Sequence, residues 1–163
     1  MNTFSKSLVA ATVGLASALV INTAFAQVPQ YGTTINLEQA RKAVAAGMVE
    51  ARKNNWPVAI AVVDNAGMLV AYERMDNTQT ASVQVSIDKA ASAAMYRRST
   101  KVFQDAVTGG GMGVRVLGLR GASPIEGGLT LMLDGKVIGG IGVSGVNSDQ
   151  DAVVAKAGVD AVK

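Results

Sequence analysis

Arg74, Asp76, Lys89, Ser144, Asp149 and Asp151 are the polar side chains whose types and positions could serve a ligand or a reaction. Arg74 and Asp76 stand where an apolar run gives way to a polar turn, a common place for binding groups. Their plainer reading is a surface ion pair. Lys89 lies in a mostly apolar stretch. It can meet a ligand as a cation, or lay its stem along the surface with its head in water. Lys89 with Asp76 or Asp151 could act as acid and base, provided burial moves a pKa. Asp149 and Asp151 precede a periodic segment and are read most simply as partners of a helix dipole. No nucleophile has a partner, so no catalytic residue is identified, and no cluster has the spacing of a metal site.

Gly140-Ile141-Gly142-Val143-Ser144-Gly145 fits the G-x-G-x-x-G fingerprint of dinucleotide sites. Such a unit needs a second parallel strand after its helix, with an acidic residue on it. Only 18 residues follow Gly145, and a helix uses nearly all of them. What survives is a glycine-rich strand end aimed at a helix N-terminus, where free N–H groups of Gly142, Ser144 and Gly145 could receive a ligand carboxylate. Of 18 glycines, 13 lie between Gly109 and Gly145, so this is where backbone or ligand comes close. The alternative is that Gly139 and Gly140 only let a helix sit tightly on a sheet.

The elements that hold these residues follow from patterning. Residues 1–26 carry one charge, Lys6, before the 14-residue apolar run Leu8–Ile21 and the small-x-small triplet Ala24-Phe25-Ala26. That is the layout of a secretory signal peptide cleaved before Gln27, and it predicts a periplasmic or extracellular protein of 137 residues. Residues 27–35 read as a flexible leader, and residues 36–163 as one domain. Asn36 caps a first helix to about Lys53, with Leu37, Ala40, Val44, Met48 and Ala51 on its apolar face. Val58–Val63 is a strand apolar on both sides, returned by Asn65-Ala66-Gly67 into Met68–Glu73. A strand with two apolar faces must be covered twice. A second helix spans Ser82–Tyr96, with Val83, Ile87, Ala90, Ala91, Ala94 and Met95 as its core stripe, and a third spans Thr100–Val107. Thr108–Ala122 is glycine-rich and irregular. Leu129–Leu133 and Lys136–Ser144 form a second hairpin around Asp134-Gly135, and Ser123–Ile125 can add a strand. Asn147 or Ser148 caps the last helix, with Ser148-x-x-Asp151 as a capping box.

Composition removes several functions. The chain has no Cys and no His, which excludes disulfide frameworks, zinc-thiolate sites, cysteine nucleophiles and histidine-based catalysis. The net charge of +3 is scattered. Its densest cluster, Arg97, Arg98 and Lys101 beside Tyr96, reads as a solvated helix end rather than a nucleic-acid surface.

These residues resemble a known family. The segments are Val58-Ala59-Ile60-Ala61-Val62-Val63-Asp64-x-x-Gly67-x-Leu69-Val70, Arg74-Met75-Asp76, Lys89-Ala90, Ser123-Pro124-Ile125-x-Gly127-Gly128-Leu129, and Gly135 through Gly145, closing with Asp151 and Ala157-Gly158. Together they are similar to the GlcG/HbpS-like family, which includes the carboxyl-terminal domain of PduO-type proteins. The resemblance implies a profilin-like three-layer α/β/α sandwich, an α+β fold with an antiparallel sheet of about five strands. It also implies homo-oligomers, haem binding in some members, and in one an exported sensor accessory to a membrane kinase. Thr130 stands where members reading GGLP have proline. Some haem-binding relatives use an axial histidine, which this chain lacks; a haem here would need Met, Tyr, Lys or Thr, or be held by its ring and propionates alone.

Three functions follow. The first is binding of a small molecule, haem or another tetrapyrrole, with Met68, Met75, Met95, Met112 and Met132 as adaptable apolar contacts. In that reading Arg74 and Lys89 meet the propionates, and Asp76, Gly142, Ser144, Gly145 and Asp151 complete the ligand site. The second is an enzyme on a small organic acid. The third is an interaction module for an extracytoplasmic receptor domain.

Overall fold

The computed structural model describes residues 28–162. In chain order the elements are α1 (Leu37–Lys53), β1 (Ala59–Val63), β2 (Leu69–Arg74), α2 (Ser82–Tyr96), α3 (Thr100–Thr108), a 3-10 helix (Gly111–Gly118), β3 (Gly128–Leu133), β4 (Lys136–Ser144) and α4 (Ser148–Asp160). The strands form one antiparallel sheet in the order β2-β1-β4-β3. β1 sits inside it with all five residues buried. α1 and α4 cover one face, where Ile60, Val62, Ile141 and Val143 meet Val44, Met48 and Val154. α2 covers the other, against Ala61 and Val63. Each large aliphatic side chain buried in this way is worth about 1.5–3 kcal/mol. No helix among the described residues is long and apolar enough to cross a membrane.

The two faces are built differently. On the α1/α4 face branched side chains interlock. On the α2 face β4 presents Gly140 and Gly142, and α2 rests on their backbone. A Cβ on Gly142 would run into the Ser86 carbonyl and the Ala90 amide, and would stand 3.0 Å from Lys89 Cβ. This close approach keeps Ala90 and Ala94 of the expected core stripe of α2 and corrects the rest of it. The buried residues are Ser82, Ser86, Lys89, Ala90, Ser92, Ala93 and Ala94, whereas Met95 is exposed. Lys89 aside, the residues buried here are small, because little else fits against the backbone of β4.

Both hairpins turn as their sequences require. Asp134 and Gly135 adopt φ of 49° and 72°, the paired left-handed conformation that favours Asp-Gly. In the first hairpin the Asp64 carboxylate accepts the N–H groups of Ala66 and Met68 at 2.8 and 2.9 Å. Asn36 and Gln39 form the capping box of α1. At α4 the N-cap is Asn147, whose N–H donates to Gln150 at 3.2 Å; the expected Ser148–Asp151 box does not form, because Asp151 turns inward.

Two further expectations are corrected. Ser123–Ile125 is not a strand, so the sheet has four. Pro124 has no N–H for a ladder, and the neighbouring amides are taken elsewhere: Ser123 donates to Ser92 Oγ and Glu126 to Gln104. The leader is tied down over its described part. β1 stops opposite Gly140, leaving the start of β4 unpaired on that side. Residues 30–35 fill the gap, with Val137 N–H to Gln30 O and Gly32 N–H to Val137 O both at 2.8 Å, and Ile35 N–H to Ile138 O at 2.7 Å. Arg97 adds a bond to the Pro29 carbonyl at 3.1 Å and lies 5.1 Å from the Tyr31 ring centre. The signal-peptide segment lies outside the described residues.

Candidate functional site

Lys89 and Asp151, 62 positions apart, meet beneath the sheet end. Lys89 Nζ donates to Asp151 Oδ2 at 2.8 Å and to the Val143 carbonyl at 2.9 Å. The side chains are 1% and 2% exposed. Lys89 is therefore not a surface stem with its head in water; the tight seat of α2 on β4 carries it inward. Burial pushes the Asp151 carboxyl above its ordinary pKa, against the opposing pull of Lys89 and of the Val146 and Gly145 amides. The Gly145 amide is one of the free N–H groups expected to receive a ligand carboxylate, and the Val146 amide follows it. The chain's own Asp151 fills that place, with Val146 N–H donating to Oδ1 at 3.2 Å.

The other expected site residues are placed as follows. Gly142 is closed off by α2, so no ligand reaches it. Gly145 packs on the Pro57 and Val58 backbone. Ser144 is buried, with its hydroxyl 3.1 Å from that of Ser82. Arg74 pairs across β1 with Ala59, as Ser144 does from the other side, so the three side chains share one face. Arg74, Asp76 and Asp149 are exposed. The structure thus joins Lys89, Asp151 and Gly145 into one buried polar knot, and leaves Asp76 and Asp149 apart from it. As a knot it can lock α2, β4 and α4 together. Closed to solvent, it offers no place for a substrate.

A cleft suited to a ligand lies elsewhere, between α3 and the 3-10 helix. It has a volume of about 640 Å³ and is lined by Val102, Phe103, Ala106, Met112, Val116 and Leu119, with Arg98 and Arg115 among them. Ligand cavities commonly run to roughly 300–1,000 Å³, mostly apolar with a few placed polar groups. The local sequence accounts for its shape. Gly110 and Gly111, at φ 68° and 52°, reverse the chain after α3. Gly113 then lets the 3-10 helix press on the Ala106 backbone. Phe103 forms the floor and is held edge-on by Tyr96, with ring centres 5.1 Å apart. Arg98 lies 5.8 Å from the Phe103 ring centre, and its Nε donates to the Tyr96 carbonyl at 3.1 Å. Lys101 is engaged by Asp105 at 2.7 Å. Among the described residues neither Arg98 nor Arg115 takes part in an ion pair.

A second groove of about 470 Å³ runs between α2 and residues 121–125, with Val85, Ala91, Met95, Pro124 and Ile125 on its walls. Its one charge is Asp88, so it repels an anion where the first cleft attracts one. The cluster read as a solvated helix end therefore divides its work: Arg97 pins the leader, Lys101 pairs along α3, and Arg98 faces the cleft. Arg115 stood out by nothing in its sequence neighbourhood, since the 3-10 helix that presents it lies in a stretch read as irregular.

The comparisons with known proteins point one way. Residues 35–160 match the family described as "Haem degrading protein HbpS-like". The chain is similar to Protein GlcG of Escherichia coli K12, 42% identical over 110 residues that cover 68% of this chain and 81% of that protein. Its fold is similar to that of Klebsiella pneumoniae protein ORFY, with TM-score 0.74, 30% identity, and 85% and 97% of the two chains covered. It is similar also to a PduOC–haem complex, with TM-score 0.72, 25% identity, and 80% and 96% covered.

Proposed function

The chain belongs to the HbpS-like family, and from that premise and the α3 cleft we propose that it binds a flat apolar anion, haem or another tetrapyrrole. The observation that carries the reading is the pairing of an apolar cleft of about 640 Å³ with two guanidinium groups, Arg98 and Arg115. A macrocycle would lie on Phe103, Val102, Val116 and Leu119, and its carboxylates would meet the arginines. A carboxylate leaving water needs such a charged donor, and guanidinium supplies two parallel N–H bonds. The family description and the haem-bound neighbour support this ligand class.

The reading moves the propionate partners away from Arg74 and Lys89. Lys89 is sealed in its ion pair. Arg74 ends β2, the opposite edge of the sheet from β3, on which α3 packs. The reading also sets aside acid–base work by Lys89, whose ammonium is held by Asp151 and Val143 rather than by Asp76. The signal read in residues 1–26 would place this binding outside the cytoplasm, as an accessory to a receptor domain. The exposed apolar residues Met68, Leu69, Leu117 and Ile125 favour a homo-oligomer.

Titration of the purified chain with hemin, followed at the Soret band, tests the proposal. Hydrogen bonds to charged groups contribute roughly 1.5–3 kcal/mol when shielded. Exposure lowers that, so Arg98→Ala and Arg115→Ala should each weaken binding by about tenfold, and the double variant more. Arg74→Ala should leave the titration unchanged. No saturable Soret shift in the wild-type chain, or wild-type affinity in both arginine variants, overturns the reading.

A further inference from the structure

We propose that the Met112 thioether is the protein's axial ligand to haem iron in the α3 cleft; the inference rests on the haem reading above. The chain contains neither histidine nor cysteine, so the two commonest iron donors are missing from every part of it. The cleft narrows the choice further. Apart from Arg98, Arg115 and Met112, its lining is aliphatic, aromatic or glycine and has no side-chain lone pair to give. A guanidinium stays protonated and has no acceptor. Of the side chains on the cleft wall, Met112 alone can donate to a metal.

Its setting is the second observation. Met112 is 76% exposed, above every other exposed large apolar side chain among the described residues. A thioether this exposed adds little apolar burial to the fold, whereas one buried under a macrocycle gains both apolar contact and a dative bond from Sδ. It sits one residue after the left-handed pair Gly110-Gly111, where a Cβ would meet nothing within 4 Å. The backbone leading into Met112 therefore has open space beside it, and Met112 itself lines the cleft.

The donor type makes the proposal specific. A neutral, polarizable thioether favours the softer ferrous state, and methionine ligation raises the haem potential. The experiment compares wild type, Met112→Leu and Arg98→Ala, each loaded with hemin and then reduced. Met112→Leu keeps the volume and the apolar contact but removes the donor. Because the residue is exposed, the variant should fold as wild type does, which far-ultraviolet circular dichroism checks. The expected result is a thioether-dependent shift of the Soret maximum in the ferric wild-type complex and an upfield-shifted methionine methyl resonance in its reduced carbon monoxide adduct, where the iron is low-spin and diamagnetic. Both should vanish in Met112→Leu, whose midpoint potential should fall, and both should persist in Arg98→Ala despite weaker binding. If Met112→Leu binds hemin with an unchanged spectrum and potential, the assignment of Met112 is overturned while the haem reading stands. If wild type shows no saturable Soret shift, both fall together.

Discussion

Removing either member of the Lys89–Asp151 pair should destabilise the fold strongly, and the pH dependence should identify which charge is left behind. The two side chains are 1% and 2% exposed and 2.8 Å apart. Deleting one partner of such a pair leaves an uncompensated charge away from water, which typically costs about 3–5 kcal/mol. At roughly 4 °C per kcal/mol for a domain of this length, Lys89→Met and Asp151→Asn should each lower Tm by about 12–20 °C. In Lys89→Met the remaining group is Asp151, already pushed above its ordinary value of 3.8 by burial, and loss of Lys89 pushes it further. A carboxyl with a raised folded-state pKa contributes stability that is present below the unfolded value and lost as pH rises through the folded one. The penalty in Lys89→Met should therefore shrink as the pH is lowered from neutral toward the unfolded carboxyl pKa of 3.8. Replacing both residues, as Lys89→Met with Asp151→Leu, removes both charges but orphans the Val143 carbonyl and the Val146 amide. The double variant should cost less than the sum of the singles by about 1–3 kcal/mol. Urea melts at several pH values provide the measurement. Single-variant losses below about 1 kcal/mol, or a Lys89→Met penalty that does not move with pH, would refute the reasoning. Hemin affinity of whatever Lys89→Met protein remains folded should match wild type, since the pair is sealed from the cleft.

Four other outcomes are expected. The Tyr72 hydroxyl is buried without a hydrogen-bond partner among the described residues, so Tyr72→Phe should stabilise the protein by about 1 kcal/mol in thermal melts. Burial also raises the Tyr72 pKa above 10.0; the unfolded chain gives up that proton first, so wild-type stability should fall as pH climbs past 10.0, and part of that fall should be absent in Tyr72→Phe. Gly142→Ala should lose at least about 3 kcal/mol or fail to give soluble protein, because its methyl meets helix backbone that has no rotamer to yield; near-normal stability in urea melts would show that α2 can lift. Amino-terminal sequencing of exported material should begin at Gln27, and material beginning at Met1 would dismiss the signal-peptide reading.

Much of the fold was legible because its determinants are local. The N-cap at Asn36, the left-handed Asp134-Gly135 turn and the doubly apolar β1 each follow from a few adjacent residues, and the structure has them where the pattern puts them. The misjudged parts depended on partners distant in sequence. Residues 28–35 look like a leader until the start of β4 is seen to have an open side, which nothing near residue 30 announces. The core stripe of α2 was read from hydrophobic size. Its true face is set by Gly140 and Gly142, some fifty residues downstream, and against a strand without side chains smallness outranks hydrophobicity.

The same logic separates the two polar groupings. Lys89, Gly145 and Asp151 stood out because a lysine in an apolar stretch, a glycine-rich strand end and an acidic helix start are each conspicuous. Being conspicuous, they invited a ligand. Yet a glycine strand end and a helix N-terminus form an anion site for any carboxylate within reach, and Asp151, five residues beyond Val146, is always within reach. A site that the chain can satisfy from its own sequence is satisfied before a ligand arrives. The arginines of the α3 cleft are the converse case. Among the described residues Arg98 and Arg115 have no acidic partner in an ion pair, while Lys101 between them in sequence has Asp105 one helical turn away. For a binding protein the informative charges are those left without a partner beside apolar surface, and finding them requires knowing which charges the fold has already paired.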